Sequence, residues 1–113
     1  MMIDGITTNT ITVYKIPAQN NMDMINFYLE SLGPGRGRII IECYGEIWSS
    51  FWPAMGCSIH EFVYECPLSY LVTNLLPPKR ATKKEKEYLT KICQIVREAI
   101  GQEFTELANE DGK

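Results

Sequence analysis

The side chains here that could take part in nucleophilic, acid–base or metal chemistry are one histidine, His60, four cysteines, Cys43, Cys57, Cys66 and Cys93, and scattered carboxylates and tyrosines. A lone histidine excludes any histidine pair, so proton transfer would fall to carboxylates, tyrosines or this one ring. Cys57, His60 and Cys66 have faint metal-ligand character, because the first two can meet within a turn. A zinc site, however, needs about four nitrogen or sulfur ligands at ~2.0–2.3 Å, and Cys66 falls almost two helical turns beyond His60. Buried, apolar thiols and a solvated histidine are the simpler reading. No catalytic residue, metal or cofactor is expected.

Gly33-Pro34-Gly35-Arg36-Gly37 has the composition of a phosphate cradle. Such cradles follow a strand and open a helix, aiming backbone amides and the helix dipole at the anion. Here the expected order is reversed, which favours a tight turn, with Arg36 and Arg38 either solvated or in contact with an acidic partner.

Two patterns point to binding. Lys79, Arg80, Lys83, Lys84 and Lys86 stand against Glu85 alone, although the net charge is −3. Lys83 and Lys84 fall at a helix start, where the dipole disfavours cations by a few tenths of a kcal/mol each. An acidic protein face or a nucleic-acid backbone would account for them, and a solvated linker is the plainer alternative. The second pattern is aromatic: Tyr44, Trp48, Phe51 and Trp52. Trp48 either packs into the core or stands on an opposite sheet face as an anchor for a partner. The candidate partner-binding residues are therefore Lys79, Arg80, Lys83 and Lys84, with Arg36, Arg38 and Trp48 as weaker contacts.

The elements that position these residues follow from periodicity. Thr10 to Ile16 alternates β-branched residues and reads as a strand, with Ile11 and Val13 on one face. Met22 to Leu32 reads as a helix, with Met24, Tyr28 and Leu32 along one side, Asn20 or Asn21 as its cap and Gly33 closing it. Ile39-Ile40-Ile41 suggests a central strand covered on both faces. Tyr44-Gly45-Glu46 reverses the chain into Ile47 to Trp52, with Trp48, Ser50 and Trp52 on one side and Ile47, Ser49 and Phe51 on the other.

Capping boxes at Ser58/Glu61 and Thr82/Glu85 open two further helices. Pro67 begins another, through Leu75, which Pro77-Pro78 ends. From Tyr88 to Ile100 apolar residues recur at three- and four-residue steps, the clearest helical signal in the chain, and Gly101 either caps that helix or is passed through. The expected fold is α+β: a three-stranded, mainly antiparallel sheet packed against about four helices, with a long amphipathic C-terminal helix.

The chain's 113 residues, 45% hydrophobic and 22% charged, suit one globular domain. Residues 1–113 are expected to form a single α+β domain, with 1–8 and 108–113 frayed. No apolar run reaches the ~20 residues of a membrane-spanning helix, and Met1 to Thr10 lacks the basic flank and apolar stretch of an export signal. The four cysteines read as free thiols in the reducing cytoplasm of a host bacterial cell. An aromatic, β-rich edge leaves a symmetric homodimer open.

Phe27-Tyr28-Leu29-Glu30, Gly33-Pro34-Gly35-Arg36-Gly37, Ile39 to Gly45, Trp48, and Trp52-Pro53-Ala54-Met55-Gly56 together resemble a family of small proteins encoded by phages and prophages of enterobacteria. The resemblance covers about half the chain and transfers no catalytic residue. It implies an accessory gene, and by analogy with small phage proteins that lack catalytic groups it implies an inhibitor directed at the host. The expected function is that of a non-enzymatic phage or prophage accessory protein acting by macromolecular binding. In its sharpest form it inhibits a host defence complex in the manner of an anti-CRISPR protein, its partner being a host protein or ribonucleoprotein. The alternative is a nucleic-acid-binding accessory protein of phage replication or recombination.

Overall fold

The computed structural model describes residues 4–6, 8, 11–19, 21–76 and 82–111. In chain order the elements are β1 (Thr12–Ile16), β2 (Ile25–Gly33), β3 (Arg36–Cys43), β4 (Glu46–Trp52), α1 (Ile59–Glu65), α2 (Leu68–Leu75) and α3 (Lys83–Asp111). The fold is α+β, but among the described residues the sheet has four strands and three helices accompany it. The strands form an antiparallel meander in the order β1-β2-β3-β4.

The extra strand is the segment expected as a helix at Met22 to Leu32. Ile25, Phe27 and Leu29 are almost fully buried while Asn26, Tyr28 and Glu30 between them are only partly covered, a period of two. Ile25 and Leu29 are also four residues apart, so both periodicities fit a window this short. Pairing with β1 on one side and β3 on the other decides between them. Asn21, expected as a helix cap, instead takes a left-handed conformation (φ 62°) in a small turn closed by reciprocal backbone bonds between Gln19 and Met22. Gly33 caps no helix either. Gly33-Pro34-Gly35-Arg36 joins β2 to β3, with proline at the second position and Gly35 at φ 69°, as a type II turn requires.

β3 is interior to the sheet, as the triple isoleucine suggested, but it is not covered by helices on both faces. Ile39 and Ile41 are fully buried, whereas Ile40 points to the other side and is only half-buried. All three helices lie on the Ile39/Ile41 face. The core there joins Ile25, Phe27, Leu29, Ile39, Ile41, Trp48 and Trp52 to Ile59, Val63, Leu71, Val72 and the buried stripe Leu89, Ile92, Cys93, Val96 and Ile100.

The hydroxyl half of each expected capping box forms. Ser58 Oγ accepts from the Glu61 amide (3.2 Å) and Thr82 Oγ1 from the Glu85 amide (3.1 Å), satisfying donors that a helix start leaves open. α3 continues through Gly101 to Asp111; a Cβ at Gly101 would stand 3.0 Å from the Tyr64 ring, so the glycine admits that ring against the helix. Arg97 of α3 donates to the carbonyl oxygens of Tyr64 and Cys66, tying the end of α1 to α3. Tyr88 packs edge-on against Trp48 of β4, and the Tyr14 hydroxyl of β1 donates to Glu103. α3 therefore spans the sheet from β4 to β1.

Candidate interaction surface

The sequence-derived binding residues do not assemble into one patch. Lys79 and Arg80 lie outside the described residues. Lys83 and Lys84 are exposed in the first turn of α3, and Lys83, Lys86, Glu87, Thr90 and Lys91 line a hollow of about 500 Å³. Arg36 opens β3, its guanidinium folded over Gly33, and Arg38 bonds to Glu30 at 3.2 Å. The other end of β3 is fixed near the start of α3, because Cys43 Sγ lies 3.2 Å from the Tyr88 hydroxyl. The two basic groups thus sit toward opposite ends of an eight-residue strand, about 25 Å of extended chain.

Trp48 is not available as a surface anchor. It is 4% exposed, and Trp52, at 6%, is stacked obliquely on Phe62 at 4.9 Å. The alternation read from β4 holds, and it is the tryptophan side that meets the helices. Two tryptophans and a serine carry more apolar surface than the isoleucine, serine and phenylalanine of the other side, so this orientation removes the most apolar surface from water.

The sheet face opposite the helices, weighed above as a platform for Trp48, carries the other side of β4 instead. No helix among the described residues covers the outer side of the sheet, whose cross-strand rows follow from the pairing. Val13, Tyr28, Ile40 and Ser49 form the middle row. Lys15, Asn26, Glu42 and Ile47 flank it on one side, and Glu30, Arg38 and Phe51 on the other. Ile47 is 64% exposed, Phe51 48% and Val13 43%. On this face Arg38 pairs with Glu30, and the Asn26 amide donates to Glu42 at 3.3 Å. What remains is an apolar stripe bordered by polar groups, the composition of a protein-binding surface. The visible signal was the alternation Ile47-Ser49-Phe51.

Three of the four thiols and two of the phenols are shifted toward their protonated forms. Burial pushes the Cys93 thiol up to about 12. Burial also raises the Cys66 thiol, partly countered by Arg97, and the Cys57 thiol, where Glu61 and Glu65 add to the effect. The Tyr88 phenol is raised by its hydrogen bond with Cys43 and by burial, the Tyr14 phenol by burial and by Glu103. A thiolate is the nucleophilic form of cysteine, so these shifts work against nucleophilic use of Cys57, Cys66 and Cys93 near neutral pH. All four cysteines are free thiols. His60 is half-buried, edge-on to Tyr14 at 6.3 Å. Among the described residues no group of three or more His, Cys, Asp or Glu side chains could hold a metal ion, and no helix is long and apolar enough to cross a membrane.

No curated protein and no solved structure is detectably similar to the chain. A family model described as a phage family does match, over residues 5–111, a span that takes in every strand and helix positioning the outer sheet face. The chain belongs to that phage family.

Proposed function

We propose that this is a non-enzymatic phage accessory protein that binds a host protein, in the manner of an inhibitor of a host defence complex, with the outer face of the sheet as its contact surface. One observation carries the reading: a four-stranded sheet that helices cover on one side only among the described residues, presenting Val13, Tyr28, Ile40, Ile47 and Phe51 on the other. Exposed apolar side chains in a contiguous stripe are costly to keep in water and are typical of protein contacts. Two further observations support it. The shifted thiols and phenols hold their protons, and Arg38 on the outer face is occupied by Glu30.

The test is a pull-down from infected host cells with the wild-type chain and with Ile47→Asp/Phe51→Asp, coupled to plaquing of phages with and without the gene on hosts carrying different defence systems. One stoichiometric host protein captured by the wild type and lost with the double variant is the expected result. Capture unaffected by the double variant refutes the outer face as the contact.

A second reading, nucleic-acid binding, is favoured by Lys83, Lys84, Lys86 and Lys91 at the start of α3. It requires affinity that falls steeply with rising salt, as phosphate neutralisation releases counterions. A short DNA or RNA duplex titrated at two salt concentrations separates the readings.

A further inference from the structure

The two edges of the sheet are unlike each other. β1 has five residues, carries Lys15 and runs into Pro17, all features that blunt an edge. Its Tyr14 is also engaged by α3. β4 has seven residues, Glu-Ile-Trp-Ser-Ser-Phe-Trp, with no proline, no register shift against β3 and one charge, placed at its first residue. Such an edge invites another strand.

Its hydrogen-bonding phase can be read from the turn. Tyr44 and Gly45, at φ 52° and 80°, form a two-residue turn with both central residues left-handed, which makes Cys43 and Glu46 the bonded pair that closes the hairpin. Alternation along the ladder then directs the N–H and C=O groups of Glu46, Trp48, Ser50 and Trp52 toward β3 and those of Ile47, Ser49 and Phe51 toward the open edge. Among the described residues no backbone hydrogen bond outside the ladder involves residues 46–52.

We infer that β4 pairs with β4 of a second copy about a two-fold axis at Ser49, joining two sheets into one continuous eight-stranded sheet. The strand is self-complementary in that register. Ser49 exchanges both backbone bonds with Ser49 of the second copy, and Ile47 does so with Phe51 on either side. The residues opposed are those whose backbone groups face outward, so the phase matches without a slip. On the outer face each Ile47 lies beside a Phe51, an aliphatic–aromatic cross-strand pair, and both are largely exposed in the single chain. The neighbouring residues complement each other in charge. Glu42 stands behind Ile47 and Arg38 behind Phe51, so each apolar pair is flanked by an acid of one copy and a base of the other. The one charge on the strand, Glu46, falls at the end of the paired segment, opposite Trp52, and no like charges meet. The middle rows of the two copies then join through the Ser49 pair into one row twice as long as either alone, with an Ile47–Phe51 pair on each side of the junction. The dimer requires no host partner, so it stands or falls separately from the proposed host contact.

The test uses the full chain and substitutions at Ser49, an exposed outer-face position where the fold tolerates a charge. Light scattering over a concentration series is expected to give the wild type a mass approaching twice the 12.9 kDa of one chain. Ser49→Lys and Ser49→Glu each set two like charges side by side on the axis, and each is expected to give the mass of one chain with an unchanged circular dichroism spectrum. Mixing the two variants is expected to restore the doubled mass. A wild type with the mass of one chain at every concentration overturns the inference. So does a doubled mass that Ser49→Lys leaves intact, or a mixture of the two variants that stays monomeric.

Discussion

Replacing Gly37 with alanine should loosen the seating of α1 on the sheet. Gly37 is buried in β3 opposite Trp52, and a Cβ there would stand 2.8 Å from Ile59 Cβ and 3.1 Å from its Cγ1 and Cδ1. Carbon atoms in ordinary contact are about 3.5–4.0 Å apart, so roughly 1 Å must be found. The Ile59 Cβ is bonded to the helix backbone and cannot swing aside, so α1 itself has to lift. Overpacking of this kind costs about 1–3 kcal/mol, and removing a glycine from a strand interior offsets roughly 0.5–1 kcal/mol of that. The expected net loss is about 1–2 kcal/mol. For a domain of this size that lowers the midpoint of thermal unfolding, followed by circular dichroism, by about 5–10 °C. Gly56→Ala is the control, because nothing lies within 4 Å of its added Cβ, and it should be neutral or slightly stabilising. If the two variants unfold within ~1 °C of each other, where a loss of 1 kcal/mol alone should separate them by several degrees, α1 does not sit on β3 as described.

Trp48→Ala, which empties a core position against Tyr88, should cost about 3–5 kcal/mol in urea denaturation, while Arg38→Ala, which removes a partly exposed ion pair, should cost less than about 1 kcal/mol. Equal effects would contradict the burial of one and the exposure of the other. Ser58→Ala and Thr82→Ala should each remove about 1 kcal/mol by uncapping α1 and α3, with faster amide exchange in the first turn of the helix affected and not in the other. Stability should decline in alkali partly through Cys93, whose thiol is raised from 9.0 to about 12 by burial. The folded state holds that proton more tightly than the unfolded chain, so the contribution is complete below about pH 9 and is lost as pH rises toward 12, at up to about 1.4 kcal/mol per pH unit. Cys93→Ala should flatten the unfolding midpoint between about pH 9 and pH 10.5, and an unchanged slope would show that the thiol is not the group responsible.

Local signals carried much of this protein. The Ser58 and Thr82 hydroxyl caps, the Tyr44-Gly45 reversal, the seven-residue strand after it and the long C-terminal helix depend on contacts within a few residues, where side-chain chemistry acts directly on the neighbouring backbone. What such contacts could not settle was the segment from Ile25 to Gly33. Its apolar residues satisfy both a period of two and a four-residue step, and only strands on either side, one ahead of it in the chain and one behind, make the extended form the better one. Once that segment is a strand, the helices that remain cover a single face, and an outer surface appears where two helical layers had been open to consideration.

The candidate site follows the same division. Exposed lysines at the start of α3 and the opposed faces of β4 could be read from residue types and spacing, because charge and alternation are properties of the chain itself. Which face of β4 is solvated could not. Alternation says that Ile47, Ser49 and Phe51 share a side, but burial is assigned by whichever side the helices occupy, and that depends on α3 meeting Trp48 through Tyr88 and Tyr14 through Glu103. The amino-acid order by itself determined β4 and its turn, the helices from Ile59 onward, the Ser58 and Thr82 caps and the pairing of side chains into faces. The tertiary structure alone decided which face is core and which strand edge is open, because burial is a property of the assembled layers and of no single segment.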